Sequence, residues 1–384
     1  MLRKTIAGSL LTTALALGTS AGALAELAPE TITTGKLPPA TPYRIYLHDV
    51  SISHIVDGRL HVVDGERMEY RGMLATGFTG QAALSADRQE IFVATTYYTR
   101  LNHGTRTDVV DVHDANTLTK TGEIPIPPRH AQSLHYKGTI RPSADGRWLF
   151  VQYATPATSI GIIDLKTRQA VNEVATPGCW AILPSASVGG RLSTVCGDGT
   201  LLTVTLDDSG KVATQKRSAR FFDPDKDPIF IHGEQDGDSY RFISFHGEVH
   251  TAHLDGESAR FEPTWSFLTP ADRKQGWRPG GYQIIAQHNA SGRLFVGMHD
   301  KGAEGSHKTP AKEIWTIDLK ARKRIDRTPG HNAIALAVSQ GDSPRLFAYD
   351  GIKLALQGFK ADRKLTLAKR LEAVGETPTQ MELH

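Results

Sequence analysis

The segment "SADGRWLFVQYATPATSIGIIDLK", Ser143 to Lys166, contains two phrases that return along the chain and decide the fold. The first is a polar turn followed by an apolar run, and it recurs as "SADRQEIFVA" from Ser85 and as "ASGRLFVGM" from Ala290. Short runs rich in β-branched and aromatic residues, bounded by Gly, Asp, Asn and Pro, predict β-strands. The second phrase is an apolar run that ends in aspartate, with copies ending at Asp64, Asp114, Asp164, Asp207, Asp255, Asp318 and Asp362.

The spacing of these aspartates predicts the architecture. They follow one another at intervals of 43 to 63 residues. A period of about 40 to 50 residues with several strands per unit is typical of a β-propeller, whose units bury their sheets against one another. We therefore predict an all-β fold, a seven-bladed β-propeller closed by the strand near residues 43–48 or by "TQMELH" at residues 379–384. Because the last copy of the repeat is faint, six or eight blades remain open.

The longest interval between aspartates predicts an insertion at residues 261–283. Thr269 precedes Pro270 and the run "ADRKQG". Thr is a favoured helix N-cap and Pro a favoured first helical residue, so we predict one short helix here.

The N-terminus predicts export. Residues 1–25 combine Arg3 and Lys4, an apolar run and a small-residue ending at Ala25, which is the pattern of a secretory signal peptide. An uncleaved anchor is the alternative. Residues 26–42 then form an N-terminal arm and residues 43–384 the propeller. The formal charge of +3 is spread along the chain, so no basic stripe points to nucleic acid.

The chain has two cysteines, Cys179 and Cys196. An oxidising compartment favours a disulfide between them, and two free core thiols are the alternative. Two thiols alone are too few ligands for a metal site.

Motifs for catalysis or metal binding are weak. On a strand, His246 and His250 of "HGEVHTAHL" share one face while His253 points to the other, so a third convergent ligand is missing. The aspartates of "FFDPDKDPIF", residues 221–230, suggest a solvated turn rather than a calcium loop. We predict no metal site and no catalytic residue on this chain.

Two aromatic segments remain. Trp277, Arg278 and Tyr282 of "WRPGGYQ" suit either a partner interface or a structural loop on the propeller rim. Phe78 lies in "TGFTGQ" in a polar stretch that we interpret as a flexible loop, where a core residue is not expected.

At these segments the chain resembles the heavy subunit of quinoprotein amine dehydrogenases, and more closely that of aromatic amine dehydrogenase than that of methylamine dehydrogenase. The resemblance covers nearly all of the chain after residue 43, in order. The segments that carry it are "TGFTGQ" (76–81), "RLNHGTRTDVVDV" (100–112), "TPATSIGIIDLK" (155–166), "PGCWAILP" (177–184), "TVCGDGTLLTV" (194–204), "KDPIFI" (226–231), "WRPGGYQ" (277–283) and "EGSHKTPAKEIWTID" (304–318).

The resemblance implies a seven-bladed heavy chain with one disulfide, Cys179–Cys196. It implies a periplasmic heterotetramer of two heavy and two light chains, in which the light chain carries tryptophan tryptophylquinone and the catalytic base. Such a complex oxidises a primary amine to aldehyde and ammonia and passes electrons to an azurin- or amicyanin-like blue copper protein.

The resemblance also implies that Phe78, with Gly77 and Thr79, reaches the mouth of the substrate channel. An apolar ring there excludes water and selects among amine side chains. A propeller core residue is the alternative for Phe78. For the whole chain, the alternatives are a periplasmic scaffold without a quinone partner and a propeller enzyme that acts alone with a metal ion.

Overall fold

Antiparallel strands joined by tight turns make up nearly all of the computed structural model, which describes residues 33–362 and 364–384. The predicted signal peptide, residues 1–25, and the start of the predicted arm lie outside the described residues. Residues 36–384 form one compact unit. The prediction of an all-β fold is confirmed. Within the described part of the chain, no helix has the length and apolar character needed to cross a membrane.

The first sheet has seven strands and contains both the first and the last strand of the chain. In spatial order its strands are β28 (Pro378–Leu383), β1 (Arg44–Asp49), β2 (Gly58–Asp64), β3 (Glu69–Leu84), β4 (Glu90–Arg100), β5 (His103–Asp114) and β6 (Lys120–Ile126).

Two four-stranded sheets follow. The first has the order β10 (Gln169–Ala175), β9 (Ser159–Asp164), β8 (Trp148–Tyr153) and β7 (Ile140–Pro142). The second has the order β11 (Cys179–Pro184), β12 (Arg191–Cys196), β13 (Leu201–Leu206) and β14 (Val212–Arg217).

The remaining strands form two larger sheets. One contains β15 (Glu234–Asp236), β16 (Ser239–Ile243), β17 (Glu248–His253) and β18 (Arg260–Phe261), with β19 (Trp265–Ser266) also paired to β17. The other contains β20 (Arg278–Pro279), β22 (Arg293–His299), β23 (Ala311–Asp318), β24 (Lys323–Val338), β25 (Arg345–Asp350), β26 (Ala355–Ala361) and β27 (Leu365–Leu371), with β21 (Ile285–His288) beside β22.

Strands β3 and β24 are unusually long because each pairs with different neighbours along its two halves. Residues 69–77 of β3 pair with β2, and the residues from Phe78 onward pair with β4. Residues 323–329 of β24 pair with β23, and residues 333–338 pair with β25. Each of these strands therefore joins two sets of strands into one sheet.

The repeated aspartates cap the turns that follow strands. Asp64, Asp114 and Asp164 end β2, β5 and β9, and one carboxylate oxygen of each accepts two backbone N–H groups from the turn beyond it. An Asp side chain that bonds its own following backbone favours a turn over a continued strand. At these three positions the repeat visible in the sequence is therefore a repeat of turn chemistry.

The core lies between successive sheets. Trp148 and Phe150 of β8 pack in one buried cluster with Leu192 of β12 and Leu202 of β13. Stacking of neighbouring sheets through apolar side chains is the packing expected for repeated β units that cannot bury their own faces.

The predicted helix is confirmed. It spans Pro270–Lys274, and Thr269 is its N-cap, with a capping box in which the Thr269 side chain accepts from the Asp272 N–H. The Asp272 side chain accepts in return from the Thr269 backbone N–H at 2.9 Å.

The disulfide between Cys179 and Cys196 is present, and it joins the first residue of β11 to the last residue of β12, which are direct cross-strand partners. Both side chains are buried in the cluster between sheets. The bond therefore fixes one end of a hairpin that faces the preceding sheet.

Asp49 joins the two ends of the chain beside the β1–β28 pairing. Its buried carboxylate accepts backbone N–H groups from Ser51, Glu376 and Thr377 at 2.8, 2.6 and 2.9 Å, and His61 Nε2 lies 3.2 Å away. Burial raises the pKa of this carboxyl, but the hydrogen bonds from His61 and the three amides outweigh burial and hold the pKa well below its usual range.

We expect the C179S/C196S double variant to lose about 3 kcal/mol of unfolding free energy, because the disulfide restricts the unfolded chain. Thermal unfolding of the wild type with and without reductant, compared with the variant, measures the effect. Equal melting temperatures for all three samples would show that the bond does not stabilise the fold.

We expect D49N to lose about 3 kcal/mol at neutral pH, since an amide cannot accept the same set of buried donors. The pKa of the Asp49 carboxyl is lower in the folded protein than in the unfolded chain, where it is about 4. Its contribution to the free energy of unfolding is therefore complete above about pH 4, and it is lost as the pH falls towards the pKa of the folded state. Urea unfolding at several pH values should show a gap between wild type and D49N that is wide at pH 7 and narrows below about pH 4. Asp57, which is half-buried and pairs with Arg59, provides the control variant D57N. A gap that does not change with pH would contradict this role.

Candidate functional site

Phe78 occupies a β-bulge in the middle of β3, not the flexible loop expected from its sequence. Phe78 pairs with Thr96 of β4, and the next pair is Gln81 with Ala94, so two residues on β3 face one on β4. Gly77 and Thr79 on either side have φ values of 64° and 51°. The expectation was wrong because pairing with β4, a long-range contact, holds this polar segment as a strand.

The bulge leaves Phe78 half-buried and turns Thr79 inward, where it is buried. The Phe78 ring packs edge-on against Tyr98 of β4, with ring centroids 5.6 Å apart. A Cβ on Gly80 would lie 1.9 Å from the Thr76 carbonyl oxygen, so only glycine fits at that position. The sequence of glycines around Phe78 is thus a requirement of the bulge geometry.

Gln81 attaches the bulge to the segment between β6 and β7. Its side-chain nitrogen donates to the Ser133 carbonyl at 2.9 Å, and its side-chain oxygen accepts from the Thr139 hydroxyl at 2.9 Å. Gln81 is buried, so both polar ends of the amide are satisfied away from water.

Trp277 is buried, with 5 % of its surface exposed, which agrees with the structural-loop alternative for this residue. Its ring lies 5.2 Å from that of Trp315 and stacks under the Arg327 guanidinium at 4.5 Å. Arg278 and Tyr282, by contrast, are half-buried. Of the three residues predicted for a partner interface, these two keep side-chain surface for such a contact.

The candidate metal-ligating residues are not brought together. His250 Nδ1 lies 3.2 Å from the Phe221 carbonyl oxygen, while His253 lies between Ser239 and Glu262. His246 pairs with Asp227 at 3.0 Å. Across residues 33–362 and 364–384, no group of three His, Cys, Asp or Glu side chains is placed to hold a metal ion.

A separate polar cavity of about 440 Å³ opens between the ends of several strands. In its charged lining, Lys137 lies 2.7 Å from Glu234 and Arg88 lies 3.4 Å from Glu382, while Arg141 donates to the Gln235 side chain at 3.4 Å. Phe78 does not line this cavity. The bulge and the cavity are therefore distinct features.

Sequence reasoning missed Tyr98, which packs on the Phe78 ring, and missed Gln81 and His135, which hold the bulge in place. Tyr98 stands in "TTYYTR" at the end of β4, where a pair of tyrosines followed by polar residues gave a weak signal of a surface aromatic. Gln81 and His135 gave none, since their roles arise from contacts between distant segments.

The family model for the methylamine dehydrogenase heavy chain matches residues 41–382. The chain is 27 % identical over 393 residues to the methylamine dehydrogenase heavy chain of Methylobacillus flagellatus, covering 97 % of this chain and 96 % of that protein. It is 28 % identical over 318 residues to the corresponding chain of Methylorubrum extorquens, covering 82 % and 76 %.

Solved structures support the fold alone. The β-propeller domain of Cps50 (Swd1) from Myceliophteria thermophila has a TM-score of 0.53 at 11 % identity, covering 84 % of this chain and 96 % of that one. The RRP9 WD40 repeats have a TM-score of 0.51 at 11 % identity, covering 78 % and 82 %. These all-β neighbours show a propeller-like fold, and the match over residues 41–382 shows that the chain belongs to the methylamine dehydrogenase heavy chain family.

Proposed function

We propose that this chain is the heavy subunit of a quinoprotein amine dehydrogenase that converts a primary amine and water to an aldehyde and ammonia. The observation that carries the proposal is the family match over nearly the whole described chain, residues 41–382. In this proposal the chain binds a light chain in a complex of two heavy and two light chains and contributes one wall of the amine entrance. The tryptophan tryptophylquinone and the catalytic base belong to the light chain, and the quinone supplies the two-electron oxidation.

Phe78 is the residue of this chain that faces the amine in the proposal. The bulge presents one half-buried aromatic ring at a point where the backbone on both sides is in the left-handed region. A ring held in this way excludes water from a hydrophobic passage and limits the size of the amine side chain that passes. Thr79 points inward and Gly77 lets the backbone approach the partner closely, so neither competes with Phe78 for that role.

The scaffold in this proposal is a ring of seven blades. If the halves of β3 and of β24 are assigned to different blades, every set contains four principal strands, and the seven repeated aspartates each follow the third strand of one set. The pairing of β28 with β1 supplies one blade with strands from both ends of the chain.

Export to the periplasm and electron transfer to an azurin- or amicyanin-like blue copper protein complete the proposal. The Cys179–Cys196 disulfide supports an oxidising compartment, since such bonds are rare in reducing ones. Arg278 and Tyr282 are the proposed contacts with a partner chain.

The proposal also concerns which primary amine the complex prefers, an aromatic amine or methylamine. The sequence resemblance predicts an aromatic amine, whereas both relatives named above are methylamine dehydrogenase heavy chains. The aromatic preference therefore stays a prediction, and kcat/KM for methylamine and for 2-phenylethylamine decides it.

We expect a tagged form of this chain, purified from its native periplasm, to bring with it a small light chain with quinone absorbance that a primary amine bleaches. Absorption spectra before and after amine addition, with a gel of the purified sample, provide the measurement. A sample without a light chain and without a chromophore would contradict the proposal and favour a periplasmic scaffold protein.

We expect F78A to raise kcat/KM for 2-phenylethylamine relative to methylamine by about tenfold, because removing the ring widens the entrance. The heterotetramer should still form, as measured by its mass in solution. F261A removes another half-buried phenylalanine, one that stacks on Phe221 in a different sheet, and is the control. An unchanged ratio for the two amines in F78A would refute the channel role.

A further inference from the structure

The bulge that carries Phe78 has a backbone conformation that needs external support. Thr79 is β-branched, yet its φ is 51°, and such a residue in the left-handed region is strained. Strained backbone persists only where surrounding contacts fix it. The position of the Phe78 ring therefore depends on whatever contacts the bulge from outside β3.

His135 makes the most direct of these contacts. Its Nε2 donates to the Gly80 carbonyl at 2.5 Å, at the point where β3 resumes its regular pairing after the bulge. The side chain is 1 % exposed, so no water replaces this bond if it is lost. Burial lowers the pKa of His135 to about 4, so near neutral pH the ring is uncharged and its single N–H is the one given to Gly80.

The position of His135 is itself set by the strands that join the chain ends. Its ring packs edge-on against His48 of β1 with centroids 5.5 Å apart, and its backbone carbonyl accepts from the Thr379 hydroxyl of β28 at 3.3 Å. His135 is thus held between the last strand, the first strand and the bulge.

The same segment also contacts the aromatic partner of Phe78. Gln132 donates to the Tyr98 hydroxyl at 3.3 Å, and Tyr98 packs against the Phe78 ring. Residues 132–139 therefore hold both the backbone that carries Phe78 and the ring against which Phe78 rests.

We propose that His135 is a positioning residue that fixes the Phe78 ring across the amine entrance, and so sets how the enzyme discriminates between small and bulky amines. The proposal rests on the function proposed above. His135 does not touch the amine and acts only through the Gly80 carbonyl and the bulge.

The test uses the complex with its light chain and two isosteric variants. Gln places its amide nitrogen near the position of His Nε2, whereas Asn places its amide near Nδ1 and leaves Gly80 without a donor. We expect H135N to change the ratio of kcat/KM for 2-phenylethylamine and methylamine in the same direction as F78A, by about tenfold. H135Q should keep a ratio close to that of the wild type. In the F78A/H135N double variant the ratio should equal that of F78A alone, because residues that act through one group are not additive.

The control is His288, another buried histidine that contacts a backbone carbonyl, that of Gly341, in a different sheet. H288N should lower the melting temperature without changing the ratio. If H135N does not assemble, H135L removes the donor while filling much of the same buried space and serves as the second variant.

Two results would overturn the inference while leaving the proposed function intact. One is a changed ratio in F78A with an unchanged ratio in H135N and H135L. The other is an H135N/F78A double variant whose effects simply add. An unchanged ratio in F78A itself would instead refute the channel role of Phe78 on which the inference rests.

Discussion

The pairing of β28 with β1 is the constraint on which the rest of the structure depends. The strand β28 pairs with β1 and completes the first sheet. Asp49 connects the turn after β1 to the turn before β28 with buried hydrogen bonds. Replacing one buried acceptor of this kind leaves several donors unsatisfied, which costs more than the bonds themselves contribute. The ends of the chain are therefore held by directional bonds as well as by apolar packing.

The β1–β28 pairing is connected to the candidate site through His135. β1 contributes His48 and β28 contributes Thr379, and both contact His135, whose ring supports the bulge at Gly80. A strained bulge is a useful place for a selective side chain because its geometry is set by its surroundings and not by local preference. In the proposed complex, a ring held in this way at position 78 meets the light chain in one orientation, which favours tight and selective packing.

Much of the fold could be predicted because its signals are local. The aspartates at strand ends and the Thr269 cap bond to backbone groups that are close in sequence. The two cysteines can form one disulfide within the chain, and they do so. The loop predicted around Phe78 was wrong, and the choice between the two roles of Trp277 stayed open, because the surroundings of both residues come from distant segments. Pairing with β4 makes the polar stretch around Phe78 a strand. Trp315 and Arg327, which are distant in sequence, pack against the Trp277 indole and bury it. The residues that support Phe78 gave no usable signal, since a lone Gln or His in a loop has many possible roles.

The order of the strands also bears on how the chain is made. Among the described residues, β1 is the first strand in chain order and its partner β28 is the last. Until β28 is synthesised, β1 has one unpaired edge, and such edges associate with other chains. Loss of β28 would leave that edge of β1 unpaired and open to association with other chains.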